Sequence, residues 1–402
     1  AGPAWNCPGG AGGTNITGPP VADPVQGIMF FTSHSNCFRL VVVPGVEAPL
    51  EGPNQSGTTH SDWAARGTTA GGGGRATLDG LPIWKGPVGR ISAHIDRLAL
   101  EVPAEQGMGP GTGMFGYFDA EDEAVASALL AAAEDWLRTQ GMNRVLGPIS
   151  MSIWEEPGLL VRGQDHSPMI MMGHHPEPYA GYIAGAGYAP AKRLYTYDLP
   201  VAREFPPLVQ RIVKSGERNN RIRVRPIDLD NYESEIEIVL EILNDAWSQN
   251  WGFVPLTEAE VAYTGKKLRP LIHPEINRIA ELDGEPVAFM MTLPNVNDLF
   301  ARTRGKLFPF GWLATLRWLR KPMHAGMRVP LMGVRKRLHN SRLASQLAFM
   351  MISQIRQSAS SVFHSDRGEV GWILEDNQGM VAIADAIDSS INREYVIYEK
   401  DL

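Results

Sequence analysis

The sequence predicts an α/β (α+β) fold built from two units that repeat the same order of elements. Two observations support this prediction. A strand, helix, strand, helix, strand pattern runs from residue 114 to 199 and returns from 329 to 399, which indicates an internal duplication of structure. The chain also has 402 residues, more than one compact core usually accommodates, so two domains are expected.

The first 83 residues differ from the rest because Gly and Pro interrupt every pattern. Glycine runs occupy 9–13 and 71–74, and no helical period is sustained. We expect residues 1–83 to form a mostly irregular segment, with the apolar runs at 28–31 and 40–43 compatible with isolated strands. Two explanations stay open, a natural flexible extension and a region translated outside its ancestral reading frame.

Residues 84–200 are predicted to form the N-terminal domain. Its clearest element is a helix, because apolar side chains recur at helical spacing from 124 to 139, an acidic stretch at 121–123 precedes them, and Gly141 follows. The other elements predicted here are strands at 87–96, 113–118, 143–147 and 191–199 and a helix at 178–186.

A connector at 201–221, with a helix at 207–215, leads to the C-terminal domain at 222–402. The dipeptide Asp283-Gly284 separates two strand-like runs and favours a tight hairpin turn. The elements predicted in this domain are strands at 222–227, 277–282, 286–293, 329–334, 369–374 and 394–399 and helices at 232–248, 341–357 and 378–386.

Charge and composition exclude several classes of function. The 37 Lys and Arg and 44 Asp and Glu leave a net charge of −7, and no basic cluster indicates a nucleic-acid surface. No apolar run approaches the roughly 18 residues of a membrane span, and no signal-peptide pattern is present. Cys7 and Cys37 are the only cysteines, so we expect a reducing, cytoplasmic setting. The loop histidines His166, His174 and His175 match no strong ligand spacing, so no metal is expected.

The segment 244–258 combines large rings and amides beside a predicted helix end. Rings favour burial, whereas desolvated amides need hydrogen-bond partners, so this mixture is more typical of a pocket lining than of a surface turn. The residues assigned to a pocket on this basis are Asn244, Trp247, Asn250, Trp251 and Phe253.

Several local stretches resemble a known family. They lie at 116–122, 147–148, 158–160, 168–172, 244–258, 331–334, 371–377 and 395–400. Together with the order of elements, they are similar to a bacterial group of tandem proteins with the GNAT (acyl-CoA N-acyltransferase) fold, over residues 85–402. The resemblance implies two GNAT-like domains, each a mixed, mostly antiparallel sheet flanked by helices, and it implies acetyl-CoA or another acyl-CoA as co-substrate. It implies as well that the pocket of segment 244–258 admits the acceptor.

The resemblance also implies a loop whose backbone N–H groups hold the CoA pyrophosphate, between the fourth strand and the next helix. In the C-terminal domain, His339 stands in place of the family's Arg, and Asn340 and Arg342 stand in place of two glycines. The implied cofactor-binding residues are Gly333, Val334, Arg337, His339, Asn340, Arg342 and Ala344. A degenerate structural loop and a working anion cradle, with positive charge from nearby Arg and Lys, both stay open.

The equivalent turn of the N-terminal domain, residues 118–124, carries four carboxylates. They would repel a phosphate and are better suited to stabilising the start of the following helix. We therefore expect this domain to be non-catalytic and to act as a scaffold or as a wall for a site in the other domain.

Acyl transfer to an amine needs a base for the amine and an acid for the departing thiolate. The candidates are Glu375 at the end of the fifth strand and Tyr395 and Tyr398 on the last strand. The resemblance places Asn377 where a GNAT side chain bonds the pantetheine arm. Structural alternatives stay open, since Glu375 and Asn377 could start the next helix and both tyrosines could be core residues.

Residues 299–328 form a basic, aromatic insertion. Its apolar residues include Phe308, Phe310, Trp312, Leu316, Trp318 and Leu319, and its basic residues include Arg302, Arg304, Lys306, Arg317, Arg320 and Lys321. An amphipathic cover on the domain core is the favoured interpretation. Contact with a membrane surface and a lid over an acyl chain are the alternatives.

The expected function is transfer of an acyl group such as acetyl from acyl-CoA to a small-molecule amine. We expect a cytoplasmic monomer or homodimer that binds no nucleic acid and has no stable membrane association. Two alternatives stay open: a non-catalytic small-molecule binding protein with a degenerate GNAT fold, and an aminoacyl transferase of the tandem GNAT type.

Overall fold

A computed structural model describes residues 89–402, except Leu307 and Pro309, together with the backbone of five short strands before them. Cys7 and the glycine runs at 9–13 and 71–74 lie outside the described residues. The apolar runs at 28–31 and 40–43, compatible with isolated strands, overlap the strands Ile28–Thr32 and Cys37–Val41, which pair with each other.

The strands are numbered in chain order. They are β1 Val21–Asp23, β2 Ile28–Thr32, β3 Cys37–Val41, β4 Arg75–Leu78, β5 Leu81–Trp84, β6 Gly89–His94, β7 Thr112–Ala120, β8 Arg144–Gly147, β9 Ile149–Ser150, β10 Glu156–Pro157, β11 Leu159–Arg162, β12 Ala189–Pro200, β13 Ile222–Pro226, β14 Arg278–Leu282, β15 Glu285–Pro294, β16 Met327–Val334, β17 Arg367–Leu374 and β18 Ser390–Asp401.

The helices are numbered in the same way. They are α1 Glu123–Thr139, α2 Pro178–Gly185, α3 Pro207–Glu217, α4 Tyr232–Trp247, α5 Glu258–Leu268, α6 Val296–Thr303, α7 Gly311–Arg320, α8 Arg342–Phe363 and α9 Gln378–Ala386. The predicted order of strand, helix, strand, helix, strand is confirmed in both halves. Strands β9 to β11 and helices α5 to α7 were not predicted.

The chain divides into two compact units. The first contains residues 1–161, 175–193 and 395–402, and the second contains residues 162–174 and 194–394. Each unit has a mixed, mostly antiparallel sheet flanked by helices, so the predicted fold class is confirmed.

In the first unit the strands lie in the order β1, β2, β3, β6, β7, β8 and the end of β18. Only the step from β7 to β8 is parallel, and α1 makes that connection. Asp122 caps α1 by accepting a hydrogen bond of 2.8 Å from the N–H of Val125, as the acidic stretch predicted. The helix buries Leu130 and Leu137 in a core with Phe115.

In the second unit the strands lie in the order β12, β17, β16, β15, β14 and β13, and the step from β16 to β17 is parallel. The predicted hairpin joins β14 to β15. Asp283 and Gly284 have φ values of 54° and 83°, and positive φ at both central positions is what this tight turn requires. Helix α8 crosses from β16 to β17 and buries Leu347 and Met351, one turn apart, in the second core.

The last strand of each half completes the sheet of the other unit. The second part of β12 pairs with β17, so residues 194–200 belong to the second unit. The end of β18 pairs with β8, so residues 395–402 belong to the first unit. This corrects the expectation that each last strand stays with its own half. Because the place of a strand in a sheet is set by pairing partners that are distant in the chain, the order of elements could not reveal the exchange.

The predicted connector, residues 201–221, lies within the second unit. Its helix α3 packs closely on α8, since a Cβ on Gly216 would lie 2.3 Å from the sulfur of Met350. Val209 and Val213 of the same helix are part of the second core. The segment therefore contributes to a domain core.

The first unit should lose stability in mild acid because of one buried histidine. Burial lowers the pKa of His94 from 6.5 to about 4. In the unfolded chain His94 therefore binds a proton below about pH 6.5, whereas in the folded unit it binds one only below about pH 4. This difference corresponds to about 3 kcal/mol of stability that is present at neutral pH and lost as the pH falls across that interval.

Urea denaturation at several pH values measures this effect. We expect His94→Gln to flatten the dependence of the unfolding free energy on pH between about pH 6.5 and pH 5, whatever its stability at neutral pH. An unchanged slope would show that carboxylates, and not His94, govern the acid response.

Candidate functional site

The sheet of the second unit opens where β16 and β17 separate. These parallel strands pair only at their beginnings, over Met327–Val329 and Gly368–Val370. Beyond these pairs β16 remains paired with β15, and β17 remains paired with β12. We call the opening between residues 330–334 and 371–374 the fork. No strand of the described residues lies between these two backbone edges. Side chains contact their carbonyls at Met332, Val334 and Gly371, so only the remaining backbone groups are available to a bound chain.

The loop after β16 is held in shape by its own side chains and by α4. The Nε2 atom of His339 lies 2.7 Å from the carbonyl oxygen of Val334. The carboxylate of Asp245 accepts a hydrogen bond of 2.7 Å from the N–H of Lys336. Asn340 has a left-handed φ of 59°, which Asn tolerates better than most residues, so it replaces the expected glycine without losing the turn.

Helix α8 begins with N–H groups that remain available. The hydroxyl of Ser341 caps the helix by accepting a hydrogen bond of 3.2 Å from the N–H of Ala344. The N–H groups of Asn340, Arg342 and Leu343 make no hydrogen bond to any described residue. Such groups at the positive end of a helix dipole attract an anion.

The cations of this loop divide into two pairs. Arg335 and Arg337 form ion pairs of 3.2 Å and 2.6 Å with glutamates of α4 and β15. Lys336 and Arg342 make no ion pair with a carboxylate in the described part of the chain, and Arg342 lies 3.4 Å from the hydroxyl of Ser215. Two positive charges therefore remain available for an anionic ligand.

Three of the predicted cofactor residues have packing or capping roles. A Cβ on Gly333 would lie 2.9 Å from the ring of Phe289 and 3.3 Å from Ala246, so Gly333 lets α4 approach the sheet. Val334 packs against the second core. Ala344 donates to the cap described above. Contact of these three residues with a cofactor stays a prediction.

The predicted acceptor pocket lies at the end of α4, beside β16. The indole N–H of Trp247 donates a hydrogen bond of 3.0 Å to the carbonyl of Met332. The N–H of Asn250 donates to the carbonyl of Trp247, and Phe253 is buried. The Oδ1 atom of Asn244 is buried with no hydrogen-bond partner among the described residues. A buried acceptor of this kind indicates a missing donor, which a ligand could supply.

Trp251 is half-buried in the turn that follows α4. Its contact with a ligand stays a prediction.

Glu375 and Asn377 follow β17 directly, at the open end of the fork. Both are half-buried. The Oδ1 atom of Asn377 accepts a hydrogen bond of 3.1 Å from the N–H of Met380 and caps α9, which is the structural alternative that the sequence left open. Its amide Nδ2 donates no hydrogen bond to a described residue, so a ligand role is compatible with the cap.

Tyr395 and Tyr398 are buried and belong to the first unit, where Tyr398 is part of the core, whereas Glu375 belongs to the second unit. The strand exchange is the reason, because both tyrosines lie on the end of β18. Their catalytic role stays a prediction, and the core role is the one that the packing shows for Tyr398.

A buried cluster of charged side chains lies at the closed end of the fork, and the sequence reasoning missed it. The Glu369 carboxylate accepts hydrogen bonds from Arg393 and, at 2.7 Å, from Asn392. Both ions of the Arg393–Glu369 pair have side chains that are 3% exposed. One carboxylate oxygen of Glu369 and the Nε atom of Arg393 have no partner among the described residues.

Arg328 occupies the neighbouring position on β16. Its guanidinium lies 4.8 Å from the ring centre of Trp372 and donates hydrogen bonds to the carbonyls of Ile170 and Met171. The residue is almost completely buried, and its partner in strand register is Glu369. The sequence contained a signal for this cluster, because Arg328 lies between the apolar residues Met327 and Val329 and charged residues are rare inside buried strands.

The corresponding place in the first unit is filled by its own main chain. β7 and β8 pair over Thr112–Met114 and Arg144–Leu146 and then separate. The hydroxyl of Ser150 accepts a hydrogen bond of 3.1 Å from the N–H of Tyr117, and a Cβ on Gly116 would lie 2.3 Å from the carbonyl oxygen of Ile149. The fork of the second unit is therefore the better candidate site.

The described residues contain no group of three or more His, Cys, Asp or Glu side chains placed to hold a metal ion. His175 instead accepts a hydrogen bond of 3.1 Å from the N–H of Leu160. None of the described helices is long and apolar enough to cross a membrane.

Comparison with solved structures finds proteins of the GNAT group. A GCN5-related N-acetyltransferase from Sphaerobacter thermophilus is 11% identical, covers 80% of this chain and 79% of its own, and has a TM-score of 0.47. A tandem GNAT protein from the clavulanic acid biosynthesis pathway is 12% identical, covers 79% of this chain and 80% of its own, and has a TM-score of 0.43.

Comparison of sequences finds much nearer relatives. The bacterial ceramide synthase of Caulobacter vibrioides is 42% identical over 317 residues, which are 78% of this chain and 81% of the relative. Protein YghO of Escherichia coli K12 is 37% identical over 317 residues, 78% of this chain and 79% of the relative. No protein-family model matches the sequence. At this identity and coverage, the chain belongs to the same family as the bacterial ceramide synthase and protein YghO.

Proposed function

We propose that this protein is an acyltransferase that moves a fatty acyl group from acyl-CoA to the amino group of a sphingoid base. The observation that carries the proposal is the fork of the second unit, which opens beside a helix start with available N–H groups. The name of the 42% identical relative supports ceramide synthesis, which is the formation of an amide between a fatty acid and a sphingoid base.

The fork suits the donor. An extended pantetheine arm could bond the unpaired strand edges as a further strand would, and the pyrophosphate would then meet the N–H groups of Arg342 and Leu343. Lys336 and Arg342 would add positive charge for the phosphates. The altered loop therefore keeps the available N–H groups and positive charges that anion binding needs. Asp245 accepts a hydrogen bond from the N–H of Lys336, so that one N–H is not available.

The pocket beside α4 suits the acceptor. The half-buried ring of Trp247 provides apolar surface for the long hydrocarbon chain of a sphingoid base, and Asn244 provides a buried oxygen without a donor. An amine or hydroxyl group of the acceptor would satisfy that oxygen. An acceptor with a long chain replaces the small amine expected from the sequence.

The reaction requires two protons to leave the acceptor ammonium. Glu375 would take the first, after which the nitrogen lone pair attacks the thioester carbonyl. The carbon–sulfur bond then breaks as the nitrogen loses its second proton, and the departing thiolate of CoA takes up one proton.

The test is an assay with purified protein, a fatty acyl-CoA and sphinganine. We expect amide product by mass spectrometry and release of free CoA thiol, with acetyl-CoA as the comparison donor. Arg342→Glu should raise the KM for acyl-CoA by about tenfold, because reversing an available charge beside the pyrophosphate costs roughly 1 to 2 kcal/mol. Arg342 is exposed, so the melting temperature should not change.

Arg211→Glu is the matched control, since Arg211 is an exposed arginine on α3 and is not among the residues that contact the start of α8. Binding of acyl-CoA without product would favour the non-catalytic binding protein. Transfer from an aminoacyl-tRNA without transfer from acyl-CoA would favour the aminoacyl transferase. Equal effects of both arginine variants would contradict the proposed pyrophosphate position.

A further inference from the structure

The insertion between β15 and β16 exposes an apolar surface that the fold does not cover. Six of the eight large apolar side chains that are exposed in the described part of the chain lie between residues 300 and 316. They are Phe300, Phe308, Phe310, Trp312, Leu313 and Leu316. Phe308 and Phe310 are 81% and 73% exposed, so these rings protrude and do not cover a core. We call these six residues the apolar surface.

Helix α7 presents two different sides. Trp318 is buried in a small core with Leu299 and Ala325. Leu313 and Leu316 lie on roughly the opposite side of the helix and are about half exposed. The expected amphipathic cover is therefore only one side of α7, and it leaves a second apolar side without a partner in the described structure.

Positive charge surrounds the apolar surface. The exposed basic residues next to it are Arg302, Arg304, Lys306, Arg317, Arg320 and Lys321. None of them forms an ion pair with a carboxylate in the described part of the chain. The sequence from 299 to 328 contains no Asp or Glu, although the whole protein has a net charge of −7. The complementary partner is consequently an anionic one.

We propose that the apolar surface docks on a membrane that contains anionic lipids. Protruding rings beside Lys and Arg, on a helix too short to cross a bilayer, are typical of segments that lie in the lipid interface. The rings would enter the boundary between headgroups and acyl chains, and the basic side chains would contact lipid phosphates. This inference depends on the exposed surface alone and does not require the proposed acyl transfer.

Flotation with lipid vesicles tests the proposal. We expect binding to phosphatidylcholine vesicles that contain phosphatidylglycerol, and binding that weakens as salt is raised. Phe308→Ser combined with Phe310→Ser should reduce the partition coefficient by at least about tenfold, because two protruding rings no longer enter the interface. Arg317→Glu, Arg320→Glu and Lys321→Glu together should reduce it by about a hundredfold.

Leu208→Ser is the matched control, since Leu208 is an apolar residue that is 64% exposed on α3. It should leave vesicle binding unchanged. Absence of binding to anionic vesicles would overturn the proposal, as would equal binding to vesicles of phosphatidylcholine alone.

An activity assay with detergent-solubilised substrate distinguishes membrane docking from a second role of the insertion, that of a lid over the acyl chain. The phenylalanine variant should keep that activity while it loses vesicle binding. If it bound vesicles normally and lost the activity, the insertion would be a lid over the acyl chain, and the proposal would fail.

Discussion

Replacing Glu369 by leucine should lower the free energy of unfolding by about 3 to 5 kcal/mol. The substitution leaves the guanidinium of Arg393 buried without its carboxylate, and an uncompensated buried charge is among the most destabilising changes known. Urea denaturation followed by circular dichroism measures the loss. We expect a larger loss here than at an exposed ion pair, because both side chains of the pair are almost completely shielded from water.

A double substitution separates the buried charge from lost packing. Glu369→Leu combined with Arg393→Met removes both ions, and apolar replacement of a whole buried pair is often neutral or stabilising. We therefore expect the double variant to be more stable than Glu369→Leu alone. A loss equal to the sum of the two single losses would show that the side chains act by packing and not as a pair.

An exposed pair in the same unit provides the control. Arg337 and Glu285 form an ion pair of 2.6 Å, but both side chains are more than half exposed. Glu285→Leu should change the unfolding free energy by no more than about 1 kcal/mol, because water screens the interaction. A loss as large as that of Glu369→Leu would contradict the role of burial.

Replacing Glu375 by glutamine should lower kcat for acyl transfer by about a hundredfold or more. Glutamine keeps the shape of the side chain and cannot accept the proton of the acceptor ammonium, and general base catalysis commonly contributes about 10² to 10⁴ in rate. The KM for acyl-CoA should change little, since the base acts on the acceptor. Steady-state kinetics with sphinganine, at saturating acyl-CoA, measures the change.

Asp376→Asn is the control, since this neighbouring carboxylate is more exposed than Glu375. It should retain kcat. If both variants lost the same activity, a general effect of negative charge near the fork would explain the result. If Glu375→Gln retained full kcat, an ordered water or another group would have to remove the proton.

Much of the fold could be predicted because its signals are local. The helical spacing at 124–139 and the dipeptide Asp283-Gly284 specify their elements from neighbouring residues, and the structure has both. The bounds of α8 were less well predicted, since the helix continues to Phe363 and the sequence pattern ended at 357. Helix ends depend on packing and capping that a periodic pattern does not contain.

The assignment of the candidate site residues stays a prediction. Asn244, Trp247 and Phe253 lie together at the end of α4, and Asn340 has the left-handed conformation that the altered loop needs. The sequence reasoning placed Tyr398 beside the same site, and the structure places it in the core of the first unit. Residue type and spacing indicate a pocket, but they do not indicate which sheet a strand enters.

The sequence by itself determined the duplicated order of elements, the tight hairpin and the family resemblance. These features depend on residues that are close in the chain. Only the tertiary structure decided the exchange of last strands, the fork between β16 and β17, and the buried cluster of Arg328, Glu369 and Arg393. Each of them arises from strand pairing or burial between distant segments, and no local preference encodes such pairing.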